Sequence, residues 1–262
     1  MTSATEIPTV RLRGGSAMPM LGLGTWQAEG NRCYEAVCHA LERGYRHIDT
    51  ATGYGNEAEV GRAVHDSGVP REDLFITTKL PPGRAGRERQ TIEQSLRKLG
   101  TGYVDLWLIH WPPSGRARPE VWQQLLAARD AGLARAVGVS NYRLGQIDEL
   151  VNATGEAPAV NQIPWSPPEH DPRLLAGHRE RDVVVEGYSP FRGSDLAHPT
   201  LREIAEGYGV SPAQVVLRWH LQHRIVVIPK SVTPARIDEN LDVLGFALTD
   251  AQMSGIDAIG GR

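Results

Sequence analysis

Four residues in the first half of the chain have the types and spacing for proton-transfer chemistry: Asp49, Tyr54, Lys79 and His110. A free tyrosine phenol has a pKa of about 10, too high to part with its proton readily at neutral pH. An adjacent ammonium stabilises the phenolate and lowers that pKa, and a carboxylate beside the lysine keeps the lysine charged and oriented. A histidine in the same pocket can hydrogen-bond a substrate oxygen. Together they make Tyr54 a proton donor aimed at an alkoxide that forms as hydride arrives. Singly, each residue has an ordinary reading. Lys79 alone is a solvated strand-end charge, Asp49 a helix cap or ion-pair partner, and Tyr54 a loop aromatic between Gly53 and Gly55. The chemistry therefore depends on whether the fold brings them together.

The element pattern predicts that it does. Short apolar runs at 21–24, 46–49, 74–79, 104–110, 134–140, 159–162, 182–187 and 224–229 read as strands. Helical patterns at 32–43, 57–67, 88–99, 119–131, 144–153, 172–181, 200–222 (broken at 207–212) and 234–241 follow them in turn. Short strands that are apolar throughout, joined by helical crossovers, form a parallel sheet. Eight such units in about 250 residues is the size of a closed (β/α)8 TIM barrel, whose active site lies at the C-terminal ends of its strands. Those ends carry Asp49, Lys79, His110, Ser140-Asn141, Gln162, Gly187-Tyr188-Ser189 and Lys230-Ser231. No G-x-G-x-x-G follows the first strand, which weakens a doubly wound reading. No linker divides the chain, so residues 1–262 read as one α/β domain. An N-terminal β-hairpin over 9–20 turns at Gly14-Gly15, and an extra C-terminal helix over 249–259 is capped by Thr249.

Composition narrows the partners. Lys and Arg number 28 against 31 Asp and Glu, a net charge of −3, which lacks the basic excess that nucleic acid or an anionic membrane needs. No apolar run approaches the roughly 20 residues of a membrane span, and residues 1–8 lack a secretory signal. The chain reads as cytoplasmic. Cys33 and Cys38 have neither metal nor redox-motif spacing and read as small core or surface residues. The nine histidines are scattered. His220 and His223 share a helix without a third ligand in sequence, so they read as surface residues and no metal site is expected.

With these segments in view, the sequence resembles the aldo-keto reductases. Gly44-Tyr45-Arg46-His47-Ile48-Asp49-Thr50-Ala51 with Tyr54 and Gly55-Asn56-Glu57 is similar to the family's first signature. Thr77-Thr78-Lys79-Leu80 and Val104-Asp105-Leu106 through His110-Trp111-Pro112 resemble its lysine and histidine strands. Gly138-Val139-Ser140-Asn141 and Val160-Asn161-Gln162 resemble its nicotinamide-side segments, and Ile228-Pro229-Lys230-Ser231 with Glu239-Asn240 its phosphate and adenosine end. The likeness runs from about Pro8 to Ile259. It is nearest to a bacterial branch of 2,5-diketo-D-gluconate reductase-like enzymes, partly through Leu217-Arg218-Trp219-His220-Leu221-Gln222.

The resemblance implies an NADPH-dependent reductase that converts small aldehydes and ketones to alcohols as a monomer. Tyr54 would be the general acid, Lys79 and Asp49 would tune it, and His110 would position the carbonyl. Ser140, Asn141 and Gln162 would hold the nicotinamide carboxamide, with Tyr188 stacked on the ring and Ser189 beside it. Lys230, Ser231, Val232 and Arg236 would form the phosphate end. There a helix start and two cations suit a ribose 2′-phosphate and hence NADPH/NADP+. Glu239 and Asn240 would face the adenosine, while Trp26 and Trp111 would wall the substrate pocket. The chain departs from the family in Ile163-Pro164-Trp165-Ser166-Pro167-Pro168, where Trp165 reads as an added pocket or surface feature. It also ends at Arg262, where many relatives carry a longer tail, which implies a more open pocket. Trp107 and Trp122 read as core residues. Two other functions use the same residues: a barrel enzyme forming a Schiff base on Lys79, and a nicotinamide-binding redox sensor without turnover.

Overall fold

A computed structural model describes residues 7–260; residues 1–6 and 261–262, which include most of the segment read for a leader and the chain end, lie outside the described residues. The chain opens with the expected hairpin, β1 (Thr9–Arg11) antiparallel to β2 (Ala17–Pro19). Gly14 and Gly15 make its turn at φ 89° and 96°, a left-handed region that glycine enters without a Cβ clash. Met18 points from β2 into the core. The backbone then passes to the sheet through Met20, whose carbonyl accepts the Val227 N–H.

Eight parallel strands follow: β3 (Leu23–Gly24), β4 (His47–Asp49), β5 (Phe75–Leu80), β6 (Val104–Ile109), β7 (Ala134–Ser140), β8 (Val160–Pro164), β9 (Val184–Tyr188) and β10 (Val226–Val227). Each pairs with the next in sequence. Single bridges Leu21↔Val227 and Gly24↔Lys230 join the first to the last and close the barrel. This seam is why the eighth strand, expected over 224–229, pairs regularly at only two residues. A Cβ on Gly24 would sit 2.8 Å from the Ile228 carbonyl oxygen, so the seam closes only with glycine there.

The helices are α1 (Gly30–Arg43), α2 (Glu57–Asp66), α3 (Glu88–Leu99), α4 (Pro119–Asp130), α5 (Leu144–Thr154), α6 (Pro172–Glu180), α7 (Pro199–Tyr208), α8 (Pro212–Gln222), α9 (Pro234–Leu241) and α10 (Asp250–Asp257). The long seventh helical stretch breaks where expected. Gly209 ends α7 at φ 67°, and Ser211 with Gln214 forms a capping box that starts α8 behind Pro212. Thr249 with Gln252 caps the extra helix α10 in the same way. Among the described residues, no helix is long and apolar enough to cross a membrane.

The inner faces of β4, β5 and β6 are buried throughout, and Trp107 and Trp122 are core residues as read. Cys33 is buried and Cys38 half-buried, both as free thiols. Two expectations are corrected. Trp165 is fully buried in a second apolar cluster with Trp219, Leu201 and Ile256, because the Pro167–Glu169 turn that follows it packs against α10. His220 is likewise fully buried, its ring between the carbonyls of Val216 (2.8 Å) and Trp165 (3.0 Å).

Candidate active site

The C-terminal strand ends bring the four chemical residues together. Asp49 ends β4 and Lys79 lies one residue from the end of β5. His110 follows β6, its N–H bonded to the Leu80 carbonyl at 2.9 Å. Tyr54 ends a single 3-10 turn, Thr52–Tyr54, between β4 and α2. The next loop residue, Asn56, fixes that turn. Its Oδ1 accepts from Thr50 Oγ1 at 2.7 Å, and its Nδ2 donates to the carbonyls of Thr25 (2.8 Å) and Ala28 (2.9 Å). One buried amide therefore ties the Tyr54 loop to the segment that carries Trp26. Glu57, also buried, accepts from Thr78 Oγ1 at 2.7 Å. Asn56→Ala takes the side-chain partner from the Ala28 carbonyl and from the Thr50 hydroxyl, each costing about 1–3 kcal/mol, while the Thr25 carbonyl keeps the Ala28 N–H. The expected loss is about 2–4 kcal/mol of unfolding free energy, read as a lower urea midpoint.

Lys79 is wholly buried, so its charge needs partners. Its Nζ donates to Asp49 Oδ1 (2.6 Å), to the Thr50 carbonyl (3.0 Å) and to Tyr54 Oη (3.3 Å). An ammonium has three hydrogens and no acceptor. All three are spent, and the Tyr54 oxygen receives one of them. The phenol's own hydrogen is then left to point elsewhere. Burial pulls Lys79 toward deprotonation, but Asp49, Tyr54 and Glu186 outweigh it and hold the ammonium above its ordinary pKa. A Schiff base needs a free amine lone pair, and this arrangement denies one to Lys79.

The electrostatics of Tyr54 differ from the sequence expectation. Burial raises the phenol, Lys79 offsets only part of that rise, and the group ends above its ordinary value. Tyr54 is thus a neutral phenol at neutral pH. Lys79 therefore does not hold it as a phenolate. The His110 ring meets the Tyr54 ring edge-on, centroids 5.5 Å apart. Burial, then the Lys79 ammonium, push His110 down to about 4, so it is neutral at physiological pH.

Tyr54 and His110 open into a cavity of about 630 Å³. Asp49, Ser140, Asn141, Gln162, Tyr188, Ser189 and Lys230 line it, with Trp26 and Trp111 at its mouth. Those two tryptophans are the large exposed apolar side chains among the described residues, 55% and 49% accessible. The far wall is a hydrogen-bonded chain. Tyr188 Oη donates to Asn141 Oδ1 at 2.8 Å, Asn141 Nδ2 donates to Ser140 Oγ (2.9 Å) and to the His110 carbonyl (3.1 Å), and Ser140 Oγ donates to the Gln162 carbonyl (2.8 Å). Asn141 and Ser189 sit at φ 65° and 54°, a costly region for non-glycine residues that tends to occur at ligand sites.

Residues 20–260 match the Aldo/keto reductase family. The chain belongs to that family. It is 42% identical to a methylglyoxal reductase of Salmonella typhimurium over 254 residues, covering 95% of this chain and 92% of that one. A Brucella melitensis aldo/keto reductase structure is 41% identical, with a TM-score of 0.95 over 99% of this chain and all of the other. An aldo-keto reductase of Bombyx mori, solved in complex with NADP, is 35% identical with a TM-score of 0.90, covering 97% of this chain and 93% of that one.

In this aldo/keto reductase the remaining sequence candidates divide into two groups. Lys230 lines the cavity, while Ser231, Val232 and Arg236 lie beyond it where α9 begins. No side chain caps that helix start; Ser231 Oγ instead accepts the Thr233 N–H at 3.1 Å. Lys230 and Arg236 are exposed. Glu239 and Asn240 sit in the last turn of α9. Asn240 is buried, and Glu239 lines a second, wider cleft of about 1260 Å³ near Arg43 and Arg46. That cleft is larger than the one beside Tyr54, but none of the four proton-transfer residues reaches it.

Three residues were missed in the sequence. Gln162 Nε2 donates to both Asp49 Oδ2 and Glu186 Oε2, each at 2.9 Å, which links Glu186 to Asp49. Burial, then Asp49, push Glu186 up to about 8. Its Oε1 faces His47 Nε2 at 3.5 Å, and burial pushes that histidine down to about 4. Both groups are thus held mainly uncharged near pH 7. Glu186 lies two residues before Tyr188 on the same face of β9, a signal the apolar look of the strand concealed. Arg192, in the loop after β9, adds a cation to the cavity wall.

Proposed function

We propose that this protein is an NADPH-dependent reductase of small aldehydes and ketones, a single domain over residues 1–262 that works as a cytoplasmic monomer. The observation that carries the reading is the hydrogen bonding of Lys79. Its three donors are spent on Asp49, Thr50 and Tyr54 Oη, leaving the Tyr54 proton free at the edge of the cavity.

The cleft has the donor set for a nicotinamide dinucleotide. Ser140, Asn141 and Gln162 offer polar atoms for a carboxamide. Gln162 has given both amide hydrogens to the carboxyl oxygens of Asp49 and Glu186, so its Oε1 is the atom left to accept. Tyr188 presents an aromatic face, held by Asn141. Ser189 and Arg192 lead toward Lys230, Ser231, Val232 and Arg236, where an uncapped helix start and two exposed cations suit phosphate groups. Glu239 and Asn240 would lie toward the adenosine. The chemistry that such a cofactor would supply is a hydride for the carbonyl carbon.

The protein's part is proton transfer and orientation. Neutral His110 donates a hydrogen bond to the carbonyl oxygen and polarises it. As negative charge develops there, Tyr54 gives up its phenolic proton. The Lys79 hydrogen bond, already in place, stabilises the phenolate without reorganisation. Asp49 keeps Lys79 charged, and Gln162 keeps Asp49 in place. Trp26 and Trp111 shield the bond-making atoms and favour compact, partly apolar substrates such as glyoxals, diketones and keto sugars.

The test is the loss of NADPH absorbance on adding methylglyoxal, diketones, keto sugars and simple aldehydes. Turnover with at least one of these is expected. NADPH binding without reduction of any of them would replace this reading with that of a redox sensor.

A further inference from the structure

Away from the cleft, three side chains from distant parts of the chain converge. His170 closes the Pro167–Glu169 turn after β8, His223 caps the end of α8, and Asp257 is the last residue of α10. One ligand-capable atom of each lies within 4.8 Å of the other two. His223 Nε2 is 2.8 Å from Asp257 Oδ1, and Trp219 Nε1 donates to the same oxygen at 2.7 Å. The two imidazoles lie 4.9 Å apart, tilted by 31°.

His170 is the unusual member. Its side chain is only 7% accessible, wedged edge-on against Trp165 and Trp219. Its Nδ1 is buried and, among the described residues, has no hydrogen-bond partner. Its Nε2 stands 3.6 Å from Asp257 Oδ1, beyond hydrogen-bond reach. On its Nε2 side this buried imidazole faces a carboxylate without bonding it, with a second imidazole alongside, and a cation between the three would fill that gap.

We propose that His170, His223 and Asp257 form a divalent-cation site suited to Zn2+. The chemistry selects the ion. Two imidazoles and one carboxylate are zinc ligands, whereas Ca2+ and Mg2+ take oxygen. Ligand atoms around one tetrahedral zinc lie roughly 3.3 Å apart, and the separations of 2.8 and 3.6 Å to Asp257 Oδ1 bracket that value. Water takes the fourth position, because His223 and Asp257 remain partly exposed. The Trp219 N–H orients the carboxylate from behind, as outer partners of metal ligands do. The ion would pin α10 and the turn after β8 to the end of α8, outside the reduction chemistry.

The experiment uses the whole chain, stripped of metal with a chelator, and ZnCl2 or CoCl2 alone. Titration calorimetry should give one Zn2+ per chain, and Co2+ should develop the visible bands of a tetrahedral site. At a zinc concentration a hundred times Kd, Tm should rise by about 5–10 °C. Asp257→Asn and His170→Phe should weaken zinc by roughly 100-fold or more. His170→Phe keeps the ring packed between the tryptophans, so its fold, checked by circular dichroism, is preserved even if the aspartate variant loosens α10. Absence of stoichiometric zinc binding by the unaltered chain would overturn the proposal. So would equal affinity in the unaltered chain and the His170→Phe variant. Neither outcome depends on carbonyl reduction.

Discussion

Tyr54→Phe should lower the rate of carbonyl reduction by about 10²–10⁴-fold, the usual worth of a positioned general acid, while NADPH affinity stays nearly unchanged. The phenylalanine ring keeps the edge contact with His110 and loses only the hydroxyl. Among the described residues that hydroxyl has one hydrogen-bond partner, Lys79 Nζ at 3.3 Å, so the fold loses a single long hydrogen bond. The transition state loses its proton source. Steady-state turnover and a fluorescence titration of NADPH separate the two effects, and retained turnover would reject Tyr54 as the acid. The pH profile adds a second check. His110, held near 4 by burial and by Lys79, does not change charge between pH 5 and 8, so no histidine step belongs in the rate over that window. The same shift acts on stability. Below its ordinary value of about 6.5 the unfolded chain protonates His110, whereas the folded chain waits until about 4. Stability from this group is therefore complete above 6.5 and is lost as pH falls toward 4.

The barrel and its chemical residues were legible because both follow from periodic patterns. Eight alternations of apolar run and amphipathic helix specify a parallel barrel, and the residue at each strand end then takes its position from the topology. Asp49, Lys79 and His110 could be placed that way without knowledge of a single contact. What eluded the sequence depends on burial and on long-range packing. The direction of the Tyr54 shift is a contest between desolvation and one ammonium, and the depth of the pocket decides it. Trp165 lies in a departure from the family pattern and reads as a pocket or surface feature, but Leu201, Trp219 and Ile256 enclose it. His220 and His223 were read together as surface residues of one helix. The fold separates them, burying the first between two carbonyls and turning the second toward His170 and Asp257. Glu186 sits in a run that reads as plain strand, and only the barrel interior reveals its link to Asp49 through Gln162.

Cofactor choice tests a different part of the site. Lys230 and Arg236 flank the start of α9, and neither shares the hydrogen bonds that order Tyr54 and Lys79. A charge-assisted hydrogen bond contributes about 1.5–3 kcal/mol, and exposure to solvent reduces that. For the pair on a ribose 2′-phosphate, about 2–4 kcal/mol remains, or roughly 30- to 1000-fold in Kd. Lys230→Gly combined with Arg236→Ala should therefore weaken NADPH by that factor and leave NADH, which lacks the phosphate, close to its original affinity. The backbone tolerates the first change, because Lys230 joins the barrel seam through its main chain opposite Gly24. Added salt should narrow the gap between the cofactors in the unaltered protein and do little in the variant, since screening acts on the charges the variant lacks. Equal losses for both cofactors would mean that the two cations support the loop rather than read the 2′-phosphate. In that case the cofactor would be held by the Ser140–Asn141–Tyr188 wall alone, and the chain would have no electrostatic reason to prefer NADPH.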